Sequence, residues 1–192
     1  MKKYILEILG AVLIGFALFF LIHFSVQRAI VEGSSMEPSL QNEQVLLISK
    51  LSYKFGEPKR GDIIVFPPPH ILNPEKDYIK RIIGLPGETV EIKHGVVYIN
   101  DIALDEPYIT EPDNDNFAKI TVPGNEYFVL GDNRNNSMDS RSGWTVPYDT
   151  IVGKAWLSIW PLGTFGLAPN EELPQSCLLF IYLNIITANL AK

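Results

Sequence analysis

The chain has 192 residues, 16 of them basic and 22 acidic for a formal net charge of −6, and 46% of it is hydrophobic. That length holds one domain of ordinary size and excludes a second large one. The single cysteine, Cys177, excludes an internal disulfide and a thiolate zinc site, so the fold has to be held by its core.

The apolar residues are concentrated at the amino terminus. No side chain from Ile8 to Ile22 is polar, and apolar character runs from Tyr4 to Phe24 with only Glu7 and His23 intruding. As a helix, Tyr4 to Phe24 would span about 32 Å, roughly one bilayer core. Lys2 and Lys3 precede the segment, whereas only Arg28 follows closely and Glu32 offsets it. The positive-inside bias therefore puts the amino terminus in the cytoplasm and the remainder outside. The following sequence, HFSVQRAIVEG, has no Ala-x-Ala-like site of a cleavable signal, so residues 1–28 read as a retained single-pass anchor in the lipid bilayer. Beyond residue 28 there are 13 basic and 21 acidic residues, net −8, which argues against nucleic acid as a partner.

Past residue 30 the pattern changes to short runs rich in β-branched and aromatic residues. They are Gln44–Ser49, Asp62–Phe66, Tyr78–Ile83, Thr89–Lys93, Val96–Asn100, Lys119–Val122, Glu126–Leu130 and Ile151–Trp160, each bounded by Gly, Pro, Asn or Asp. His94-Gly95 reads as a tight hairpin and Pro123-Gly124-Asn125 as a further turn. The prediction is a mainly β protein: one amino-terminal transmembrane helix, then an all-β extracytoplasmic domain over residues 29–170 of packed antiparallel sheets or a partly open barrel. Residues 171–192 form an apolar tail of unknown role. Its Leu178–Leu190 stretch is short for a membrane span and is interrupted by Asn184 and Asn189, so it reads as a buried strand or a membrane-surface segment.

His23, His70 and His94 have no metal-ligand spacing, and Glu111–Asn116 (EPDNDN) lacks the glycine and closing glutamate of a calcium loop, so it reads as surface loop. No metal or cofactor is expected. Three other segments mix small, charged and hydroxyl residues where the strand pattern breaks: Gly33–Leu40 (GSSMEPSL), Tyr78–Val90 (YIKRIIGLPGETV) and Gly131–Arg141 (GDNRNNSMDSR). Alone, the serines of the first are turn formers. In the second, alternation puts Tyr78, Lys80 and Ile82 on one face and Ile79, Arg81 and Ile83 on the other. A lysine there ordinarily shields an edge strand.

A nucleophilic serine needs a base, and no histidine sits in a comparable polar break. Lysine can serve if it is neutral, and holding it so at pH 7 costs about 4.6 kcal/mol at its reference pKa of about 10.4. Burial beside Tyr78 and Ile82 would lower that pKa, so the setting of Lys80 is the one a Ser-Lys dyad requires. The third segment is too polar for a strand interior and must be a loop with its own hydrogen bonds. In it Asp132 and Asp139 can pair with Arg81, Arg134 or Arg141, and Ser137 can supply a hydroxyl to orient a neutral lysine.

Taken in order, GSSMEPSL, GDIIVF, YIKRIIGLPGETV and GDNRNNSMDSR resemble the boxes of the type I signal peptidases, bacterial membrane-bound Ser-Lys proteases that remove signal peptides from secretory preproteins. The resemblance includes the anchor and reaches about Asn170. It implies that Ser35 is the nucleophile and Lys80 the general base. It further implies that Ser137 holds the lysine, that Asp139 pairs with Arg141 and Arg81 with Asp132, and that Gly33, Ser34, Met36 and Pro38 contact substrate beside the nucleophile. The implied cut follows a small-x-small, Ala-x-Ala-like site. Two departures stand out. Position 33 is glycine where some members carry a serine that donates to the oxyanion, and Arg141-Ser142-Gly143-Trp144 replaces an Arg-aromatic-Trp-Gly order. Two rivals are a soluble self-cleaving repressor, which the anchor disfavours, and an anchored peptide-binding β domain, which intact Ser35 and Lys80 disfavour.

Overall fold

In the computed structural model the described residues are 2–69, 71–72, 74–111 and 113–173, with the side chains of residues 2, 5, 6, 18, 21 and 22 outside the description. His70, Cys177 and the apolar Leu178–Leu190 stretch thus lie outside the described residues.

Helix α1 (Lys2–Ser25) occupies the segment read as an anchor. Its apolar side chains stand exposed, among them Ile8, Leu13, Phe16, Phe19 and Phe24. Among the described residues no helix is long and apolar enough to cross a membrane.

The rest is mainly β, in two antiparallel sheets. In chain order the strands are β1 (Val26–Ile30), β2 (Val45–Ser49), β3 (Ile63–Phe66), β4 (Tyr78–Gly84), β5 (Thr89–Lys93), β6 (Val96–Ile99), β7 (Ile102–Ala103), β8 (Phe117–Thr121), β9 (Glu126–Leu130), β10 (Val146–Pro147), β11 (Gly153–Trp160) and β12 (Gly166–Leu167). All eight runs read from the sequence are strands. The short β7, β10 and β12 were not anticipated, nor was β1, whose residues follow the apolar helix without a break. The large sheet runs β1-β2-β11-β3-β4-β9-β10 with β12 on β11, and the small one β7-β6-β5-β8. His94 (φ 49°) and Gly95 (φ 79°) both take left-handed backbone in the β5–β6 turn, as a two-residue hairpin demands.

Lys80 does not shield an edge. Strand β4 is interior, paired with β3 on one side and β9 on the other. Its alternation sorts two apolar clusters: Ile82 packs with Ile64, Phe66, Val129 and Val146, with Tyr78 against them, whereas Ile79 packs against Ile63, Val65, Met36 and Leu40. A third cluster joins the two sheets, with Ile83, Phe128 and Leu130 from the large one and Val90, Ile92, Val97 and Ile99 from the small one. Leu173 is buried in that cluster, and Glu171 donates its N–H to Gly61 O, so the packed part of the chain extends a few residues beyond Asn170.

Candidate active site

The loop from Val31 to Gln44 carries Ser35 because its next residues are rooted in the core. Met36 is 1% exposed and Leu40 fully buried, and the Leu40 N–H donates to Met36 O. Gly33, at φ +83°, takes the left-handed backbone that turns the chain out of β1. Its N–H donates to Asn42 Oδ1 at 2.8 Å.

Lys80 comes from the interior strand and is 4% exposed. Its Nζ lies 2.7 Å from Ser35 Oγ and 3.0 Å from the carbonyl oxygen of Ile79. The Tyr78 ring centroid is 5.3 Å from Nζ. Burial pushes the amine down to about 8, against the opposing pull of the Asp139 and Asp132 carboxylates. The sequence-predicted pair is therefore brought together, 45 residues apart in the chain.

The polar loop after β9 surrounds the pair. Arg81 pairs with β9 at Leu130, so the following residue, Gly131, falls beside Lys80. A Cβ at Gly131 would come within 2.2 Å of Ser137 Oγ and 2.5 Å of the Ser35 carbonyl oxygen, so only glycine fits between the Ser35 loop and the polar loop. Ser137 Oγ is buried and forms no hydrogen bond among the described residues. Lys80 is thus held here by Ser35 and the Ile79 carbonyl rather than by the Ser137 hydroxyl. Asp139, wholly buried, accepts from Arg141 Nε at 2.8 Å, from Arg141 NH2 at 3.0 Å and from the Gly131 N–H at 3.1 Å. Arg81, also wholly buried, makes a two-pronged pair with Asp132 at 2.9 and 2.6 Å. Its remaining N–H groups reach Gly61 O, Pro169 O and Ser39 Oγ, and its guanidinium lies 4.0 Å from the Tyr108 ring centroid. Burial alone would lower the Arg81 pKa, but the hydrogen bonds and charge of Asp132 outweigh it and hold it above its ordinary value.

Of the residues beside Ser35, Met36 lines the cleft, whereas Pro38 lines a smaller hollow with Glu37, Thr110 and Asn133. Ser34 Oγ accepts from Asn136 Nδ2 at 2.7 Å. Sequence reasoning named Arg134 as a partner of Asp132 or Asp139 but did not find Glu106 as its partner, nor the parts played by Asp113 and β1. Arg134 pairs with Glu106 at 2.6 Å, Asp113 of the EPDNDN stretch is buried against Arg141, and β1 forms a wall of the cleft. The acidic run is a loop as expected, but one of its carboxylates is a buried support. Nothing local distinguishes Asp113 from its exposed neighbours.

The cleft, about 460 Å³, runs from β1 past Ser35 to Lys80, with Val31, Met36, Val65 and Ile79 among its lining residues. Among the described residues no cluster suited to a metal ion occurs. The arrangement supplies a hydroxyl against a buried amine of lowered pKa, beside an open strand edge.

Comparison with known proteins gives the same chemistry a lineage. A probable signal peptidase I-2 of Synechocystis sp. is 42% identical over 151 residues, 77% of this chain and 69% of that protein. The signal peptidase I S of Bacillus subtilis is 42% identical over 154 residues, covering 74% and 81%. A signal peptidase IB of Staphylococcus aureus is 33% identical over 191 residues, 90% of this chain and 98% of its own. The family model described as signal peptidase, peptidase S26, matches residues 1–160, which include α1, Ser35, Lys80 and the whole polar loop, and the chain belongs to that family.

Proposed function

We propose that this protein is a serine endopeptidase that removes amino-terminal signal peptides from secretory preproteins, with Ser35 as nucleophile and Lys80 as general base. The observation that carries the reading is the 2.7 Å approach of a 4%-exposed lysine amine to a serine hydroxyl at the end of a cleft. With a pKa of about 8, roughly a tenth of the lysine is neutral at pH 7, some three-hundredfold more than at the ordinary 10.5. The neutral amine takes the Ser35 proton as Oγ attacks the scissile carbonyl, then passes it to the leaving amine. Water, activated by the same lysine, releases the acyl group. The Ser35 N–H is the first donor to the oxyanion. Gly33 has no side chain to add a second.

Substrate enters extended. Strand β1 is the edge of the large sheet and one wall of the cleft, and its unpaired side offers main-chain groups to a peptide strand. The first and third side chains before the cut then point the same way, towards an apolar lining that suits small residues. We further propose that α1 is a single-pass anchor in a bacterial cell membrane, amino terminus cytoplasmic, on the strength of its unbroken apolar run and exposed side chains. Sheet register gives this reading a distance. Val26, Ser49, Lys154, Ile64 and Lys80 are successive cross-strand partners. Four strand spacings of about 4.8 Å put Lys80 within about 19 Å of the residue that follows α1. That reach suits a substrate still held in the bilayer.

The test is mass-spectrometric mapping of a preprotein with an Ala-x-Ala site, incubated in detergent with the protein and with Ser35→Ala and Lys80→Ala variants. A single cut after the second alanine, absent with both variants, is expected. Cleavage that survives Lys80→Ala would remove the lysine from the role of base.

A further inference from the structure

The loop around Ser35 is held unevenly. After the nucleophile it is rooted by Met36 and Leu40 in the core, and the Ser35 carbonyl accepts the Asn133 N–H at 3.1 Å. Before the nucleophile, among the described residues, the main chain is tied only within its own loop, by the Gly33 N–H to Asn42 Oδ1 at 2.8 Å and the Glu37 N–H to Ser34 O at 3.1 Å, and Gly33 has no side chain to pack; a Cβ there would meet nothing within 4 Å. At Ser34 one side chain reaches in from outside the loop: Asn136 Nδ2 donates to Ser34 Oγ at 2.7 Å.

Asn136 is well placed to bear on the nucleophile. It ends the short 3-10 turn Arg134–Asn136 and precedes Ser137. The start of that turn is fixed by Arg134, buried at 4% exposure, donating to Gly131 O and paired with Glu106. The residues after Ser137 are fixed by Asp139 and Arg141, and the Arg141 guanidinium also donates to Arg134 O at 2.7 Å. The polar loop is therefore a rigid frame, and Asn133 and Asn136 join it to the nucleophile loop on either side of the Ser34–Ser35 peptide. Because the amide N–H donates, the Ser34 oxygen accepts, so an acceptor at position 34 is what the clamp requires.

We propose that Asn136 is a positioning residue for catalysis: through Ser34 it holds the upstream side of the nucleophile loop so that Ser35 Oγ stays at hydrogen-bonding distance from Lys80 Nζ. The proposal rests on Ser35 being the nucleophile. Its consequence falls on the chemical step, since near-attack geometry is lost while the cleft and the lysine are untouched. Ser34 then serves the alignment of Ser35 and not the recognition of the peptide.

The experiment is a double-mutant cycle on the full chain in detergent, with Ser34→Ala, Asn136→Ala, the double variant and Ser34→Thr, assayed on a preprotein with an Ala-x-Ala site beside Ser35→Ala. Loss of one neutral hydrogen bond predicts a three- to tenfold fall in kcat for each single variant, by an order-of-magnitude conversion of its usual worth. KM and the midpoint of the pH–rate profile stay unchanged, and the double variant is no slower than the slower single one, because both remove the same bond. Ser34→Thr, which keeps the acceptor oxygen, recovers kcat above the value of Ser34→Ala. Additive losses in the cycle, or a rise in KM with kcat preserved, would overturn the clamp and return Ser34 to substrate contact. Activity surviving Ser35→Ala would instead overturn the nucleophile assignment, whatever the cycle gave.

Discussion

At the residue scale the site turns on the cost of burying one amine. An exposed lysine is a poor base because water stabilises its ammonium form; Lys80 loses that water on an interior strand, and its pKa falls to about 8 although two carboxylates oppose the change. Activity then follows the neutral fraction. The rate kcat/KM on a preprotein is expected to climb about tenfold per pH unit below 8 and to level off above it; a profile flat from pH 6 to 9 would contradict a lysine base. The same shift costs stability, with a definite sign. The unfolded chain keeps its lysine proton up to about pH 10.5, so the folded state carries the full penalty below pH 8 and none above 10.5. Lys80→Met is expected to be inactive yet more stable than the parent at pH 7. The gain is at most about 3 kcal/mol, from 1.36 kcal/mol for each pH unit between the two values. Denaturant titrations at pH 7 and 10 test this, since the advantage should shrink at the higher pH. The neighbouring Arg81 shows the opposite economy, a buried cation kept charged because Asp132, three acceptor oxygens and an aromatic ring satisfy it.

At the element scale, strand β4 sends adjacent basic residues to opposite sides of one sheet, Lys80 towards Ser35 and Arg81 towards Asp132. Alternation in YIKRII made this legible. That the strand is interior was not legible, because pairing with β3 and β9 depends on residues far along the chain. The loop after β9 was read as a hydrogen-bonded frame, and Arg81–Asp132 and Asp139–Arg141 are both formed. Its glycine, Gly131, is the point of closest packing against the Ser35 loop. Gly131→Ala would drive a methyl into the Ser35 carbonyl oxygen and Ser137 Oγ. Of these the carbonyl is backbone and cannot rotate away. The substitution is expected to lower kcat at least about tenfold and to destabilise the fold by about 1–3 kcal/mol, the usual range for overpacking. Peptidase assays together with thermal unfolding check both; an unchanged kcat would show that the two loops can separate without harm.

At the scale of the whole molecule, the β structure is built around its own clusters and α1 stands outside them. Removing residues 1–25 is expected to leave the β domain folded, with a Tm within a few degrees of the full chain, because little buried surface is lost. Circular dichroism melts of both forms decide this, and a collapse of the transition would show that α1 supports β1. The sequence by itself determined the apolar helix, the eight principal strands and their turns, since these follow from side-chain periodicity and from backbone preferences within a few residues. It also carried the family resemblance, and with it the pairing of Ser35 with Lys80. Only the tertiary structure decided that Lys80 is buried in a sheet interior, that Asp113 is buried against Arg141 while Asn114 and Asp115 stay exposed, and that Asn136 meets Ser34. Each of these depends on two segments separated by 28 residues or more coming into contact, and burial is a property of the contact rather than of either segment.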